Sequence, residues 1–316
     1  MQGSMDMKKT VRVLLSVGIT VIIFAILFTQ IKVTDLIETI AQVPFHFILL
    51  GGLFYSLGYV FRMLRFSILT DHVVPKKRML GIVCVHNFFT QLLPFKTGEL
   101  SFLHYLKKEG HSYARGGAVI LVARILDVAM MLLLFSISIM FVKDDLPETV
   151  LPFLPLFILL IVVIIMSFFA YSALSRPILK IARKIDIGML TRLLEQLYAV
   201  RTDKKMVELL LVSLGMWLSF NLAIYYILLG VFDLSFWHVI VGHIFPVLIS
   251  VLPIQGIGGF GTIEGGWALG LMLIGLDKGA AISAGFTIHF MHIIYFIIWM
   301  AYGIPATRRK KEKVQS

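Results

Sequence analysis

The chain has 316 residues, of which 59% are hydrophobic and only 15% charged, and its mean hydropathy is +0.91. This composition excludes a soluble globular domain, and uncharged runs long enough to cross a bilayer recur along it. The net charge of +11 does not indicate nucleic-acid binding, because the cations cluster at the ends of apolar segments, where they orient a membrane protein.

The N-terminal region predicts a retained first span. Residues 1–4 resemble the remnant of an expression tag, with the native start at Met5 or Met7. Residues 1–11 are then a basic cytoplasmic tail. The apolar run 12–29 lacks a small-residue cleavage site, so it is expected to stay in the protein as a transmembrane helix rather than act as a removed signal.

Five further segments are apolar enough to be full spans, which makes six in all. They are 44–65, 116–142, 151–173, 207–230 and 279–303. Two irregular apolar regions, 79–106 and 236–276, lie between them. The limb 100–106 is far below the ~20 residues that a span needs, so the first region is predicted to be a re-entrant hairpin. For the second region, a hairpin and two full spans remain alternatives, because 236–254 nearly suffices.

Each irregular region contains a helix break rich in proline and glycine. The first reads Leu93-Pro-Phe-Lys-Thr-Gly-Glu99, and the second runs from Leu252-Pro253 through four glycines to Glu264. A broken backbone at membrane depth survives only inside protein or beside a polar cavity. Paired breaks in the two halves of a chain therefore point to a transporter's binding site.

The distribution of basic residues predicts cytoplasmic N- and C-termini. With that orientation almost all Lys and Arg, including Arg62 and Arg65, fall in cytoplasmic sections, and only Lys96 and Arg124 lie at membrane depth. The predicted fold class is all-α: a polytopic helical membrane protein with six full spans and two re-entrant hairpins in inverted repeats. The repeats are 44–142 and 207–303, within one transmembrane domain covering 1–316.

Three peripheral segments complete the predicted layout. Residues 31–43 are expected to form an interfacial helix on the outer side. Residues 176–205 are predicted to be a cytoplasmic amphipathic segment that attracts anionic lipid, with a solvated loop as the alternative. Residues 304–316 form a basic cytoplasmic tail. The single Cys84 lies in an apolar run, so no disulfide framework is expected.

Arg124 and Asp127 lie in the middle of a predicted span, three residues apart and therefore on one helical face. A charge at the bilayer centre costs roughly 2.5–3.5 kcal/mol on insertion scales. The two residues either form a structural ion pair, or Arg124 is a cation that binds an anionic substrate and Asp127 orients the Arg124 side chain. Intramembrane ionisable groups are functional candidates by default, which favours the second interpretation.

Glu99 and Glu264 each follow a glycine break. Each is expected either to cap the short helix that follows, or to bind a proton or cation, or to pair with Arg124. Lys96 and Thr97 lie next to Glu99, where a cation and free backbone N–H groups could capture a phosphate.

Four histidines lie in apolar segments: His86, His243, His289 and His292. Packing roles are the main interpretation, and a metal site of His289 and His292 with Glu264 is the alternative. The run from Gly256 to Gly261 formally matches G-x-G-x-x-G, but no strand precedes it, so dinucleotide binding is not expected. No Walker A or nucleophile motif occurs, and neither enzymatic activity nor a cofactor is predicted.

Together these residues resemble the transmembrane region of lysylphosphatidylglycerol synthases, a flippase-like family. The resemblance rests on Arg62 and Arg65, on Pro94 to Glu99 followed by Arg124-Ile-Leu-Asp127, and on Pro253 to Glu264. It covers about 10–305. It implies the translocating half of those proteins, without the soluble aminoacyl-transferase domain. The family usually has an arginine where this chain has Lys96-Thr97, and often one near His289.

The resemblance implies a prokaryotic cytoplasmic-membrane translocator of a phospholipid, an aminoacylated lipid or a polyprenyl-phosphate-linked lipid. Membrane lipids are its expected partners, and a second copy of the chain or the enzyme that makes the lipid are further candidates. An intramembrane lipid-modifying enzyme and a transporter of a small anionic solute are the alternatives. The predicted substrate-binding residues are Lys96, Thr97, Glu99, Arg124, Asp127, Gly258, Gly259, Glu264 and His289.

Overall fold

The computed structural model of the chain describes residues 32–94, 97–169, 180, 188–200, 202–251 and 257–307. Within these ranges all regular structure is helical, and no strand occurs. The predicted first span at 12–29 lies outside the described residues, as does the part of the basic tail after Thr307.

The helices of the described ranges are numbered here in chain order. They are α1 Val33–Gln42, α2 Phe45–Leu69, α3 Lys76–Leu92, α4 Glu99–Lys108, α5 Tyr113–Val142, α6 Leu154–Phe169, α7 Gly188–Val200, α8 Thr202–Leu229, α9 Phe236–Val251, α10 Thr262–Leu273 and α11 Lys278–Ala306. Short 3-10 turns occur at Lys143–Asp145, Leu151–Phe153 and Ile257–Gly259.

Within the described ranges, four helices are long and apolar enough to cross a membrane: α2, α5, α8 from Lys205 onward, and α11. They coincide with four of the six predicted spans. Helix α6 is the described part of a fifth, and its apolar stretch is shorter. The prediction of an all-α, polytopic helical membrane protein is confirmed.

The two irregular regions are pairs of short helices on either side of a break. Helices α3 and α4 have 17 and 10 residues, and α9 and α10 have 16 and 12. At 1.5 Å per residue even the longest of them reaches only about 26 Å, less than the ~30 Å of a hydrocarbon core. The short second limb predicted for the first region is confirmed, and re-entry into the bilayer stays a prediction.

The chain uses the same order of elements twice. A long helix, a short helix, a break, a short helix and a long helix occur as α2 to α5 and again as α8 to α11. A shift of 165 residues carries the start of α5, Tyr113, onto the start of α11, Lys278. Each half packs against the other: α3 of the first half packs on α11, α9 of the second half packs on α5, and α2 packs along α8.

The contact between α2 and α8 depends on small residues. A Cβ atom on Gly58 would lie 2.5 Å from the Phe220 ring, and one on Gly215 would lie 2.8 Å from the Phe61 ring. Each glycine therefore accepts an aromatic ring from the opposite helix. Close approach through small residues is how helices associate in a bilayer, where apolar side chains gain little by leaving lipid.

The ends of α2, α5 and α8 are joined at a tight turn after α2. Asp71 adopts a positive φ of 58°. Its carboxylate accepts a hydrogen bond from Arg115 Nη2 at 2.7 Å and also pairs with Lys205. Helix α7 packs on α5 nearby, so residues 188–200 form a packed helix rather than a solvated loop. Contact of this region with lipid stays a prediction.

Gly98 is required by a backbone contact rather than by its torsion angles. Its φ is −61°, which any residue adopts, but an added Cβ would lie 2.1 Å from the carbonyl carbon and oxygen of Phe89. Helix α4 thus begins directly against the backbone of α3. The close backbone contact, rather than conformational freedom, is therefore the reason for a glycine at this position.

Gly98→Ala is expected to force α3 and α4 apart and to destabilise the protein by about 3 kcal/mol, the upper end for overpacking, because backbone atoms have no rotamer to yield. Gly265→Ala is the matched control, since a Cβ there meets nothing within 4 Å. Thermal midpoints from heating followed by size-exclusion chromatography in detergent compare the two. Equal midpoints would contradict the steric role of Gly98.

Candidate functional site

A polar cavity of about 170 Å³ lies between the two halves of the molecule. Helices α2, α3 and α5 line it from the first half, and α8 to α11 line it from the second. Its lining contains three arginines and one carboxylate, namely Arg62, Arg65, Arg124 and Asp127. In an otherwise apolar chain, this is a concentration of positive charge facing an internal space.

Arg124 is bound to Glu99 across the first break. Its Nε and Nη2 atoms both donate to Glu99 Oε1, at 3.1 and 2.8 Å. Asp127, one helical turn further along α5, lies 3.8 Å away at its closest carboxylate oxygen. Of the three interpretations of Glu99, the structure contains the pairing with Arg124.

Asp127 has its own closer partners. Its Oδ1 accepts a hydrogen bond from Arg65 Nη1 at 2.7 Å and another from Trp217 Nε1 at 3.1 Å. The Arg124–Asp127 pair that the spacing predicts is therefore only the weaker contact of each residue. The carboxylate of Asp127 instead ties α5 to α2 and α8.

The two ion pairs differ in how accessible they are. The side chains of Arg65 and Asp127 are 2% and 12% exposed, whereas those of Arg124 and Glu99 are 35% and 26% exposed. A pair sealed from solvent holds helices together, because separating it leaves a buried charge. A pair that faces an open cavity can exchange one partner for an incoming group of the same charge.

Arg62 and Arg65 lie inside helix α2, which continues to Leu69, beyond the predicted end of the span at residue 65. Both line the cavity, and their placement on the cytoplasmic side stays a prediction. Arg62 donates to the side-chain oxygen of Asn87 and lies 4.9 Å from the centre of the Phe220 ring. The amide of Asn87 in turn donates to Tyr59.

The second break has the backbone geometry that only glycine adopts readily. Gly258, Gly259 and Gly261 have φ angles of 65°, 74° and 81°. A side chain at such φ values meets its own backbone, so these positions need the freedom of glycine. The turn Ile257–Gly259 packs against α3, which brings the two breaks together.

Glu264 is buried on the far side of the cavity wall. Its Oε2 accepts a hydrogen bond from the backbone N–H of Gly261 at 2.7 Å, and its Oε1 lies 2.7 Å from Nδ1 of His289. The two side chains are 0% and 3% exposed, and neither lines the cavity. Glu264 therefore caps α10, as one of its interpretations predicts, and is also paired.

The two glutamates occupy equivalent places in the two halves. Glu99 and Glu264 each lie in the first turn of the short helix after a break, and each pairs with a residue 25 positions later. The same shift of 165 that relates α5 to α11 carries Arg124 onto His289. The repeated contact is thus carboxylate to arginine in the first half and carboxylate to histidine in the second.

The structure gathers some predicted substrate-binding residues and separates others. Arg124 and Asp127 line the cavity. Glu99 does not line it, but its carboxylate is bonded to Arg124, which does. Thr97 is exposed and donates to Pro94 O at 2.9 Å without lining the cavity. Lys96 lies outside the described residues.

The remaining predicted site residues lie behind the cavity lining or apart from it. Gly258 and Gly259 shape the second break and belong to the wall behind the lining, as do Glu264 and His289. Among the described residues, no three His, Cys, Asp or Glu side chains are grouped to hold a metal ion.

The lining residues that sequence reasoning did not assign to the site include the polar side chains of Arg62, Arg65, Asn87 and Trp217. A signal was available for Asn87, because an amide side chain in an apolar segment needs a partner. For the two arginines, the rule that cations mark the ends of spans pointed the other way. Their role depends on α2 continuing beyond the predicted end of the span.

Comparison with known proteins agrees with the sequence resemblance. A family model described as the lysylphosphatidylglycerol synthase TM region matches residues 13–300, which is most of the chain. The comparison with curated proteins gave no match. The chain is a multi-pass membrane protein, and it belongs to the family of the lysylphosphatidylglycerol synthase TM region.

Proposed function

We propose that the protein is a flippase-like translocator that moves a lipid with an anionic headgroup across the cytoplasmic membrane. The family is named for the membrane region of lipid synthases, which supports a role in lipid handling. The observation that carries the proposal is the guanidinium of Arg124, which faces the cavity and is paired with a partly exposed carboxylate.

The headgroup phosphate would take the place of the Glu99 carboxylate. Arginine binds carboxylate and phosphate with the same planar donors, so one anion can replace the other on Arg124. Arg62 and Arg65 add positive charge on the same wall, while the buried contact of Arg65 with Asp127 keeps the wall in place. The charge of Arg124 is thereby neutralised by Glu99 in the empty site and by the lipid in the loaded site.

The surroundings of the cavity suit an amphiphile. Apolar side chains alternate with the charged ones along its lining, and they include Ile120, Val128, Val247 and Ile263. The acyl chains of the lipid would remain in the bilayer while the headgroup occupies the polar space.

Alternating access would come from one half rocking against the other. The cavity lies between the halves, and the exchanged packing of α3 on α11 and of α9 on α5 gives each half a contact surface on the other. Re-entrant hairpins of opposite orientation would open the cavity first to one side and then to the other. Cytoplasmic termini, as the basic residues predict, are part of this proposal.

Transport of a fluorescent phosphatidylglycerol in proteoliposomes tests the proposal. The probe carries an NBD group on one acyl chain, and dithionite bleaches only the probe in the outer leaflet. We expect the bleached fraction to exceed the outer-leaflet share when the protein is present, because inner-leaflet probe reaches the outside. A cationic NBD lipid is expected to move much more slowly, since the lining repels it.

Two further readouts separate the alternatives. Uptake of radiolabelled glycerol phosphate with an immobile NBD lipid would contradict lipid translocation and support a solute transporter. Mass spectrometry of the recovered probe detects chemical change, and a modified lipid would support an intramembrane enzyme. Equal rates for anionic and cationic probes would contradict the role of the arginine cluster.

A further inference from the structure

The second half of the molecule contains a buried acid–base pair that the cavity does not use. Glu264 and His289 contact each other at 2.7 Å, both are buried, and neither is among the residues that line the cavity. They connect α10 to α11, and the Phe260 ring covers His289 at a centroid distance of 4.7 Å. The pair therefore sits at the second break, next to the glycines that shape it.

The net charge of this buried pair depends on how many protons it holds. With a single proton between carboxylate and imidazole, the pair carries one negative charge, which is costly without solvent. The N–H of Gly261 stabilises only one oxygen of Glu264. A second proton makes the pair neutral overall, whether as carboxylate with imidazolium or as two neutral groups. The charge of the buried pair therefore changes by one unit when a single proton binds or leaves.

The equivalent contact in the first half cannot behave in this way. Arg124 occupies the position of His289 in the repeat, and a guanidinium does not release its proton in proteins. The first pair is also accessible from the cavity, with Arg124 35% exposed. The halves thus carry the same contact in two chemical forms, a permanent cation and a titratable one.

Titratable side chains of the cavity lining lie on several of the helices that surround it. His292 lies one turn beyond His289 on α11, His243 is on α9, and His86 is on α3. Tyr55 and Arg62 are on α2, and all five line the cavity. Among the described residues, no Lys or Arg is bonded to Glu264. The basic side chain that contacts its carboxylate is therefore His289.

We propose that Glu264 and His289 form a proton-binding site that couples proton movement to lipid translocation. This inference rests on the proposed function and names its coupling ion. One proton enters the pair from water on one side and leaves to water on the other in the same cycle. A headgroup with one negative charge then crosses together with one positive charge, so the loaded step moves no net charge.

The test is lipid accumulation driven by a pH gradient, with valinomycin and potassium holding the membrane potential at zero. One coupled proton allows about tenfold accumulation of NBD-phosphatidylglycerol per unit of pH gradient, since one unit corresponds to ~1.36 kcal/mol. We expect wild type to approach that ratio. His289→Gln keeps hydrogen-bonding groups for Glu264 but does not titrate, so it is expected to equilibrate the probe without accumulating it.

His289→Arg is the matched variant, because it reproduces the carboxylate–arginine pair of the first half. It is expected to equilibrate the probe without accumulating it, as His289→Gln does. If the larger side chain impairs folding, His289→Gln alone carries the test. Accumulation by His289→Gln equal to that of wild type would overturn the proposal. A wild type that moves the probe but ignores the gradient would overturn it as well, while leaving the proposed function standing.

A direct readout separates failure of the proton site from failure of lipid transport. Histidine 15N NMR of the detergent-solubilised protein, assigned with His289→Gln, follows imidazole protonation between about pH 5 and about pH 8. We expect the His289 signal to titrate in this range. If wild type moves no lipid, the proposed function is contradicted. An unchanged His289 signal would overturn the proton site regardless of that result.

Discussion

Arg124→Gln is expected to abolish movement of NBD-phosphatidylglycerol while the protein still folds. The variant removes the cavity cation that would bind the phosphate, and a neutral amide forms no charge-assisted bond in its place. Glu99 is left without its partner, but it is 26% exposed and faces an open space, so the stability cost is small. Transport rate and thermal midpoint are measured on the same preparation.

Two controls make this result specific to the site. Arg78→Gln breaks an ion pair with Glu109 that has a similar contact distance of 2.6 Å but does not line this cavity, so transport is expected to persist. Arg124→Lys keeps the charge without the planar donors and should retain only part of the rate. Full transport by Arg124→Gln would contradict the proposed function, and loss of folded protein would favour a structural ion pair.

Arg65→Gln is expected to fail at the level of folding. Its side chain is 2% exposed and pairs with Asp127, which is 12% exposed, so the variant leaves a carboxylate buried among α2, α5 and α8. Breaking a buried pair by removing one partner costs about 3–5 kcal/mol. We expect a large fall in the thermal midpoint and in the yield of monodisperse protein.

The double variant Arg65→Gln with Asp127→Asn tests the cause of that loss. Removing both charges eliminates the unpaired carboxylate, and amide groups can hydrogen-bond to each other and to Trp217, so most of the stability should return. If the double variant is as unstable as the sum of the two single variants, the residues do not interact in the way the geometry indicates.

The two ion pairs show where sequence reasoning was sound and where it was not. A charged residue in an apolar span is visible in the sequence, so Arg124, Asp127, Glu99 and Glu264 were all identified as candidates. The three-residue spacing then favoured pairing within α5. The structure instead joins Arg124 to a residue 25 positions away and Asp127 to one 62 positions away.

The internal repeat shows the same limit. The two halves resemble each other only weakly in sequence, because equivalent positions carry different side chains, such as Arg124 and His289. The helices make the relation plain, since the starts of α5 and α11 differ by the same shift as the two glutamates. The helices keep similar lengths in the two halves while their side chains differ, because packing between the halves constrains helix length more strongly than side-chain identity.

By itself the sequence determined that this is an all-helical, multi-pass membrane protein with one break in each half and a few charged residues inside. Those properties follow from hydrophobicity, glycine and proline, which act locally along the chain. The tertiary structure decided which charge meets which, that Arg62 and Arg65 face the cavity, and that Glu264 is sealed while Glu99 is accessible. Long side chains choose partners by how helices from both halves pack, and no local pattern contains that information.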